Sequence, residues 1–197
     1  MISHKTTRVS WLLAGAFLFS TLAFADDGKV EVAGFGGGTT IAGGVGTHAV
    51  VGGSASIRVI EHLHIFGEFS LVPLASTSLS DSSTGVTVNA HGTDRLYNFG
   101  GGVDYGFGSS KRVVPYVLVA AGVGHESASA TATASGYSAT VNMTSNSVYL
   151  GVGGGVRLYA GDHWGVKPEF RFQRYTASSG GSNSAVFTVG LFYQFGK

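Results

Sequence analysis

The chain has 197 residues, with 12 Lys and Arg against 11 Asp and Glu, 32 glycines, 3 prolines and no cysteine. So even a charge balance gives no electrostatic footing for nucleic acid, and the lack of cysteine removes disulfide staples and thiolate chemistry. Glycine without a Gly-X-Y period, and with so little proline, excludes collagen, and the length suits one domain.

The first 25 residues read as a secretory leader. Lys5 and Arg8 make a positive start, Trp11 to Leu22 are uncharged and mostly apolar, and Ala23-Phe24-Ala25 fits the small-x-small cleavage pattern. The apolar run is about a dozen residues, short of the ~20 that a spanning helix needs. No cysteine follows the cut, so no lipoprotein anchor is expected, and no later segment offers an apolar run long enough for a helix in the membrane. The domain to be folded is then 26–197.

Alternation with period two, broken by turn residues, predicts eight strands in that domain, near 29–39, 48–60, 63–78, 86–107, 113–133, 137–159, 164–176 and 185–196. In the first, Val30 and Val32 share a face and Glu31 takes the other; in the second, Val51, Ala55, Ile57 and Val59 oppose Arg58. The third sets Leu63, Ile65, Phe69 and Leu71 against Glu68, and the fourth sets Tyr97, Phe99, Val103, Tyr105 and Phe107 against Asp104. The fifth carries Val117, Val119, Ala121 and Val123 on one face. The sixth sets Val148, Leu150, Val152, Val156 and Leu158 against Arg157. The seventh is the most telling: Lys167, Glu169, Arg171 and Gln173 fall on one side, Trp164, Val166, Pro168, Phe170 and Phe172 on the other. The eighth carries Phe187, Val189, Leu191, Tyr193 and Phe195.

One face of every strand is thus apolar and uncharged. Behind a secretory leader this predicts contact with lipid, where a mid-bilayer Lys or Arg costs roughly 2–4 kcal/mol. Tyr105, Phe107, Trp164, Tyr193 and Phe195 fall beside the short turns, and Tyr97, Phe99, Phe172 and Phe187 lie toward the other end, as two interfacial belts require. An open edge in hydrocarbon would strand backbone N–H and C=O groups, so the sheet must close. The expected fold is an all-β, eight-stranded antiparallel up-and-down transmembrane barrel. An even strand count returns both termini to the short-turn, periplasmic end.

Eight strands enclose a lumen just wide enough for side chains. Glu31, Glu68, Asp104 and Glu169 are expected to pair there with Arg58, Arg157, Lys167 and Arg171 in a stacked ionic core, because a buried unpaired ion is costly. Inward glycines (Gly52, Gly100, Gly102, Gly122, Gly151, Gly153, Gly155, Gly190) leave room for the long side chains. Pro115 and Pro168 each remove a ladder hydrogen bond and are expected at the periplasmic rim or at bulges. The connections around 40–47, 79–85, 134–136 and 177–184 are polar. Ala128, Ala130, Ala132 and Ala134 alternate with Ser or Thr, which fits either a strand continuing past the membrane or a low-complexity loop.

The leader, the strand count, the inward charges and the closing segment Ala185–Phe195 resemble the small OmpA/OmpX-type outer-membrane β-barrels. The resemblance covers nearly all of the domain. It implies residence in the outer membrane of a Gram-negative cell among lipid and lipopolysaccharide. It also implies recognition of the last strand by the barrel-assembly machinery through a terminal aromatic, here displaced because Gly196 and Lys197 follow Phe195. Members of the group are structural proteins, adhesins, small-solute pores or lipid-modifying enzymes, so fold does not settle function.

Chemistry is sparse. The lipid A deacylase barrels carry His-x-Ser-Asn on a late strand; here Arg174, Thr176 and Ala177 stand at those positions, leaving no base. His125-Glu126-Ser127 has the residue types of a triad, but neighbours on a strand point apart. His62 and His64 would share a face at a spacing metals use, without an obvious third ligand. Gly34-Phe35-Gly36-Gly37-Gly38 and Gly100–Gly102 precede no helix and are not phosphate loops. No catalytic, cofactor or metal site is expected. The sequence reads as a non-enzymatic envelope barrel with a structural or surface-contact role, its loops carrying any extracellular ligand. The alternative is a narrow small-solute pore, and less favoured are a lipid A-modifying enzyme and a soluble lipocalin-like barrel.

Overall fold

The alternating runs fold into eight strands: β1 (Val30–Ile41), β2 (Thr47–Ile60), β3 (Leu63–Ser83), β4 (Val86–Gly106), β5 (Val113–Ala134), β6 (Tyr137–Tyr159), β7 (Trp164–Ala177) and β8 (Gly180–Phe195). This computed structural model describes residues 30–41, 46–83, 86–108, 112–134, 137–177 and 180–195. The expected leader, its cleavage site and the terminal Gly196-Lys197 lie outside the described residues. Each strand pairs antiparallel with the next, and β1 pairs with β8 from Val30↔Phe195 to Ile41↔Ser184, which closes the ring.

The two phases of each strand separate as the alternation requires. Val51, Ile65, Val119, Leu150, Val152 and Leu191 are each more than half exposed on the outer wall. An apolar belt of this extent has no place in water and is what hydrocarbon covers. Rings pack along the wall at both ends of it, Tyr105 on Phe107 (5.2 Å) and Tyr193 on Phe195 (5.0 Å) near the short turns, Phe69 on Phe99 (4.9 Å) farther up. Val30 keeps the outward phase by register, between Ile57 and Phe195, yet is buried.

The strands are longer than the alternation suggests. Residues 79–83 belong to β3, and the broad connection expected over 177–184 shrinks because β7 runs to Ala177 and β8 begins at Gly180, whose φ of +132° only glycine takes readily. Ser, Thr and Asn carry no local veto on extended backbone, so ladder pairing continues through them. The same reason decides the 128–134 segment, which is strand: Ala128↔Met143 through Ala134↔Tyr137 are paired.

The prolines mark interruptions. Pro115 sits at the third position of β5, near the short-turn end, and its carbonyl accepts from Phe107 N at 2.7 Å. Pro168 lies on no bulge: the β6–β7 register is the same at Gly155↔Glu169 and Leu158↔Val166, but the ladder breaks between them, where Pro168 offers no N–H. Pro73, which drew no expectation, opens a bulge on β3 between Pro73↔Arg95 and Ala75↔Asp94.

Candidate functional site

Two regions hold the polar groups that could act, the lumen and the part of the sheet beyond the outer rim. In the lower lumen Arg157, 1 % exposed, donates from Nε to Glu31 at 2.9 Å and forks onto both oxygens of Asp104 at 3.0 Å. Lys167 reaches the other Glu31 oxygen at 3.3 Å, and His64 Nδ1 lies 3.1 Å from Asp104. Higher up, Arg171 donates to both Glu68 and Glu169. Tyr116 joins the two clusters: its ring lies under the Arg157 guanidinium at 4.6 Å, and its hydroxyl donates to Glu169 at 2.6 Å.

Seven of the eight charged residues placed inward by the sequence are thus drawn into two linked clusters. Arg58 is not among them. It faces inward at the short-turn mouth, across from His64 in the β2–β3 ladder, and its Nε is buried without a hydrogen-bond partner. The expected four-to-four pairing therefore needs correcting, because the β2 terminus holds Arg58 below the acids it was to meet. Glu68 and Glu169 share one arginine, with the Tyr149 hydroxyl (3.4 Å to Glu68) and the Tyr116 hydroxyl as neutral donors.

Above the charges the lumen turns amide-like and then apolar. Tyr175 donates to Asn98 at 3.3 Å, Tyr149 packs on Tyr175 at 5.4 Å, and Val50, Val72 and Leu96 form a buried layer with Phe35, Leu74 and Val186 against it. A mid-lumen cavity holds about 30 Å³, room for a single water. An outer vestibule of about 570 Å³ lies toward the long strands and a vestibule of about 480 Å³ at the short-turn end.

Sequence reasoning missed the large inward aromatics. Each of three stands in register with glycine: Phe35 with Gly52 and Gly190, Tyr116 with Gly106 and Gly155, Tyr149 with Gly122. A Cβ at Gly122 would come within 2.6 Å of the Tyr149 ring, and one at Gly155 within 2.6 Å of the Tyr116 hydroxyl. The inward glycines at these places make room for rings rather than for charges. Alternate inward glycines facing an inward aromatic are the signal that could have found them.

Beyond the rim only half the sheet continues. The β2–β3 ladder stops at Val51↔Leu71 and the β6–β7 ladder at Val148↔Thr176, while β3 runs on to Ser83, β4 starts at Val86, β5 runs on to Ala134 and β6 starts at Tyr137. The outer face of this extension carries rows of uncharged polar residues in register: Ser76, Thr93, Ser129 and Asn142; then Ser78, His91, Thr131 and Thr140; then Ser80, Asn89, Thr133 and Ser138. Thr131 and Thr140 hydroxyls meet at 3.0 Å. The face toward the barrel axis is small and apolar, with Ala75, Ala128, Ala130, Val141 and Met143 around a groove of about 250 Å³. Val141 and Met143 are more than half exposed. Along 137–147 the β6 edge has neither charge nor proline, the usual guards of a free edge.

The remaining candidates disperse. His125 turns outward onto Asn146 (2.7 Å) while Glu126, next along β5, takes the opposite phase beside Asp94, so no triad forms. His62 lies in the turn with its ring 5.9 Å from Tyr105 on the outer wall, and His64 points into the lumen, so the expected shared face is lost at the turn. Arg174 donates to Asn183 on the outer surface at 3.2 Å.

Known proteins match this chain in structure and not in sequence. No family model and no curated relative matches the sequence. Among solved structures the chain is similar to Neisserial surface protein A (NspA), with 17% identity, a TM-score of 0.56 and coverage of 86% of this chain and 98% of that one. It is also similar to Ail, the attachment invasion locus protein of Yersinia pestis, at 13% identity and TM-score 0.54, covering 86% of this chain and 99% of Ail. A second Ail structure, in complex with the heparin analogue sucrose octasulfate, matches at 13% identity and TM-score 0.55, covering 85% and 97%. The fold is that of the small eight-stranded outer-membrane barrels, and the resemblance to OmpA/OmpX-type barrels holds at the level of fold.

Proposed function

We propose that this chain is a non-enzymatic outer-membrane barrel, exported behind a leader cleaved after Ala25, whose job is contact at the cell surface. One observation carries the reading: β3 to β6 rise beyond the rim as an open-edged, amphipathic sheet whose β6 edge is uncharged from 137 to 147, on a barrel whose lumen is filled. The filled lumen supports an anchor over a pore, because water is interrupted at mid-lumen by Tyr149, Tyr175 and the apolar layer above them. The free β6 edge suits a partner segment added as an extra strand, with backbone hydrogen bonds for affinity and the Val141–Met143 groove for specificity. The complex of Ail with sucrose octasulfate supports the idea that a barrel of this fold can carry an extracellular ligand. Lipid and lipopolysaccharide would cover the apolar wall, and the β8 aromatics ending at Phe195 would serve as the assembly signal.

The test pairs two measurements on the full-length protein. Cells displaying it should attach to surfaces or to one another more than cells displaying a variant with 76–93 and 127–144 replaced by short turns. The purified barrel should give no unitary current steps in a planar bilayer. Equal attachment by both strains, or regular channel steps, would overturn the proposal.

A further inference from the structure

The short-turn mouth holds an arginine whose Nε has no acceptor. Arg58 Nε is buried and makes no hydrogen bond, whereas the other lumenal arginines, Arg157 and Arg171, each grip two carboxylates. A shielded guanidinium nitrogen left unpaired costs on the order of 1–3 kcal/mol or more, so a site that keeps one is built for an acceptor from outside the chain. The space for it exists. Arg58 lines a vestibule of about 480 Å³ together with Arg112, Tyr159, Asp162 and Gln194, contributed by β2, the start of β5, the β6 end with its turn, and β8. These elements lie around the ring, so the vestibule is the mouth of the lumen and not a groove on the wall. The nearby acids Glu31 and Asp104 are engaged by Arg157, Lys167 and His64, and among the described residues that line the vestibule Asp162 is the carboxylate.

We infer that this mouth is an oxyanion site in which Arg58 and Arg112 take a phosphate group, from a phospholipid headgroup of the inner leaflet or from a free phosphate ester. Guanidinium forks match phosphate oxygens two at a time, and two of them suit a doubly charged group. Tyr159 and Gln194 add uncharged donors at the same opening. Only the sidedness rests on the functional reading above; the site itself depends on the fold alone.

The barrel, residues 26–197, is refolded in zwitterionic detergent and titrated with inorganic phosphate at constant ionic strength, with sodium chloride as control. The readout is the Arg58 Nε–H resonance. A saturable shift at Arg58, absent at the outer-wall Arg174 and at least tenfold weaker in Arg112→Gln, is the expected result. Should Arg112→Gln fail to fold, the contrast between Arg58 and Arg174 within the parent protein decides. The same resonance is then followed in nanodiscs of phosphatidylcholine with and without phosphatidylglycerol, free of added phosphate. A shift there assigns the group to a headgroup, and a shift with free phosphate alone assigns it to a solute. A non-saturating response, one reproduced by chloride, or none in either setting would overturn the inference. Surface attachment is unaffected in each case, so failure here is distinct from failure of the contact role.

Discussion

Arg157 shows at the scale of one residue why the interior is polar. It is 1 % exposed and holds Glu31 and Asp104, so its removal would leave these buried carboxylates with only Lys167 and His64 beside them. Arg157→Met should cost about 3–5 kcal/mol, read as a lowered urea midpoint for the detergent-folded barrel. Arg171→Leu, which strips Glu68 and Glu169, should lower it too, and an unchanged midpoint would contradict the clusters' structural role. Gly100→Ala drives a Cβ into the Tyr149 hydroxyl and should cost about 1–3 kcal/mol, read as a lowered urea midpoint. The charges were legible because Lys167, Glu169 and Arg171 keep one phase on a single strand. The rings were not, because Tyr116 and Tyr149 gain their space from glycines on neighbouring strands, and cross-strand register is invisible in one strand's alternation. Nor could parity alone show that Arg58, inward like the rest, joins neither ionic cluster.

Among the elements, β5 and β6 most changed in meaning between sequence and structure. Ala128 to Ala134 alternating with Ser and Thr has the period of a strand but no large residue to fix it; pairing on both sides fixes it instead. Similarly, proline's missing N–H was legible at Pro168, but not whether the ladder would gap or bulge. At the base of the extension, burial, with the Asp94 carboxylate beside it, raises Glu126 above its ordinary value of 4.5. A raised carboxylate favours the folded tip while protonated, and that contribution fades as pH climbs through the raised value. Amide exchange around Leu96↔Glu126 should therefore quicken from about pH 4.5 upward beyond the intrinsic rate, and Glu126→Gln should flatten the profile. Because Glu126 is only partly shielded and largely open to solvent, the effect is small, and a profile identical in both proteins would remove the Asp94–Glu126 coupling from the account.

For the whole molecule the physics reduces to which solvent each face meets. Inverting a soluble protein, the barrel shows Val119, Leu150 and Leu191 to its surroundings and keeps its ion pairs within. Val119→Lys at mid-wall should cost about 2–4 kcal/mol in bilayers and reduce the heat-sensitive mobility shift on gels. The most direct test uses the absence of native cysteine to place one nitroxide label at a time at Val117 to Ala121 and at Val123 in lipid-reconstituted barrel. Collision with oxygen, which concentrates in hydrocarbon, should be high at Val117, Val119, Ala121 and Val123 and low at Leu118 and Ala120. A flat profile, or one with the phases exchanged, would contradict the account.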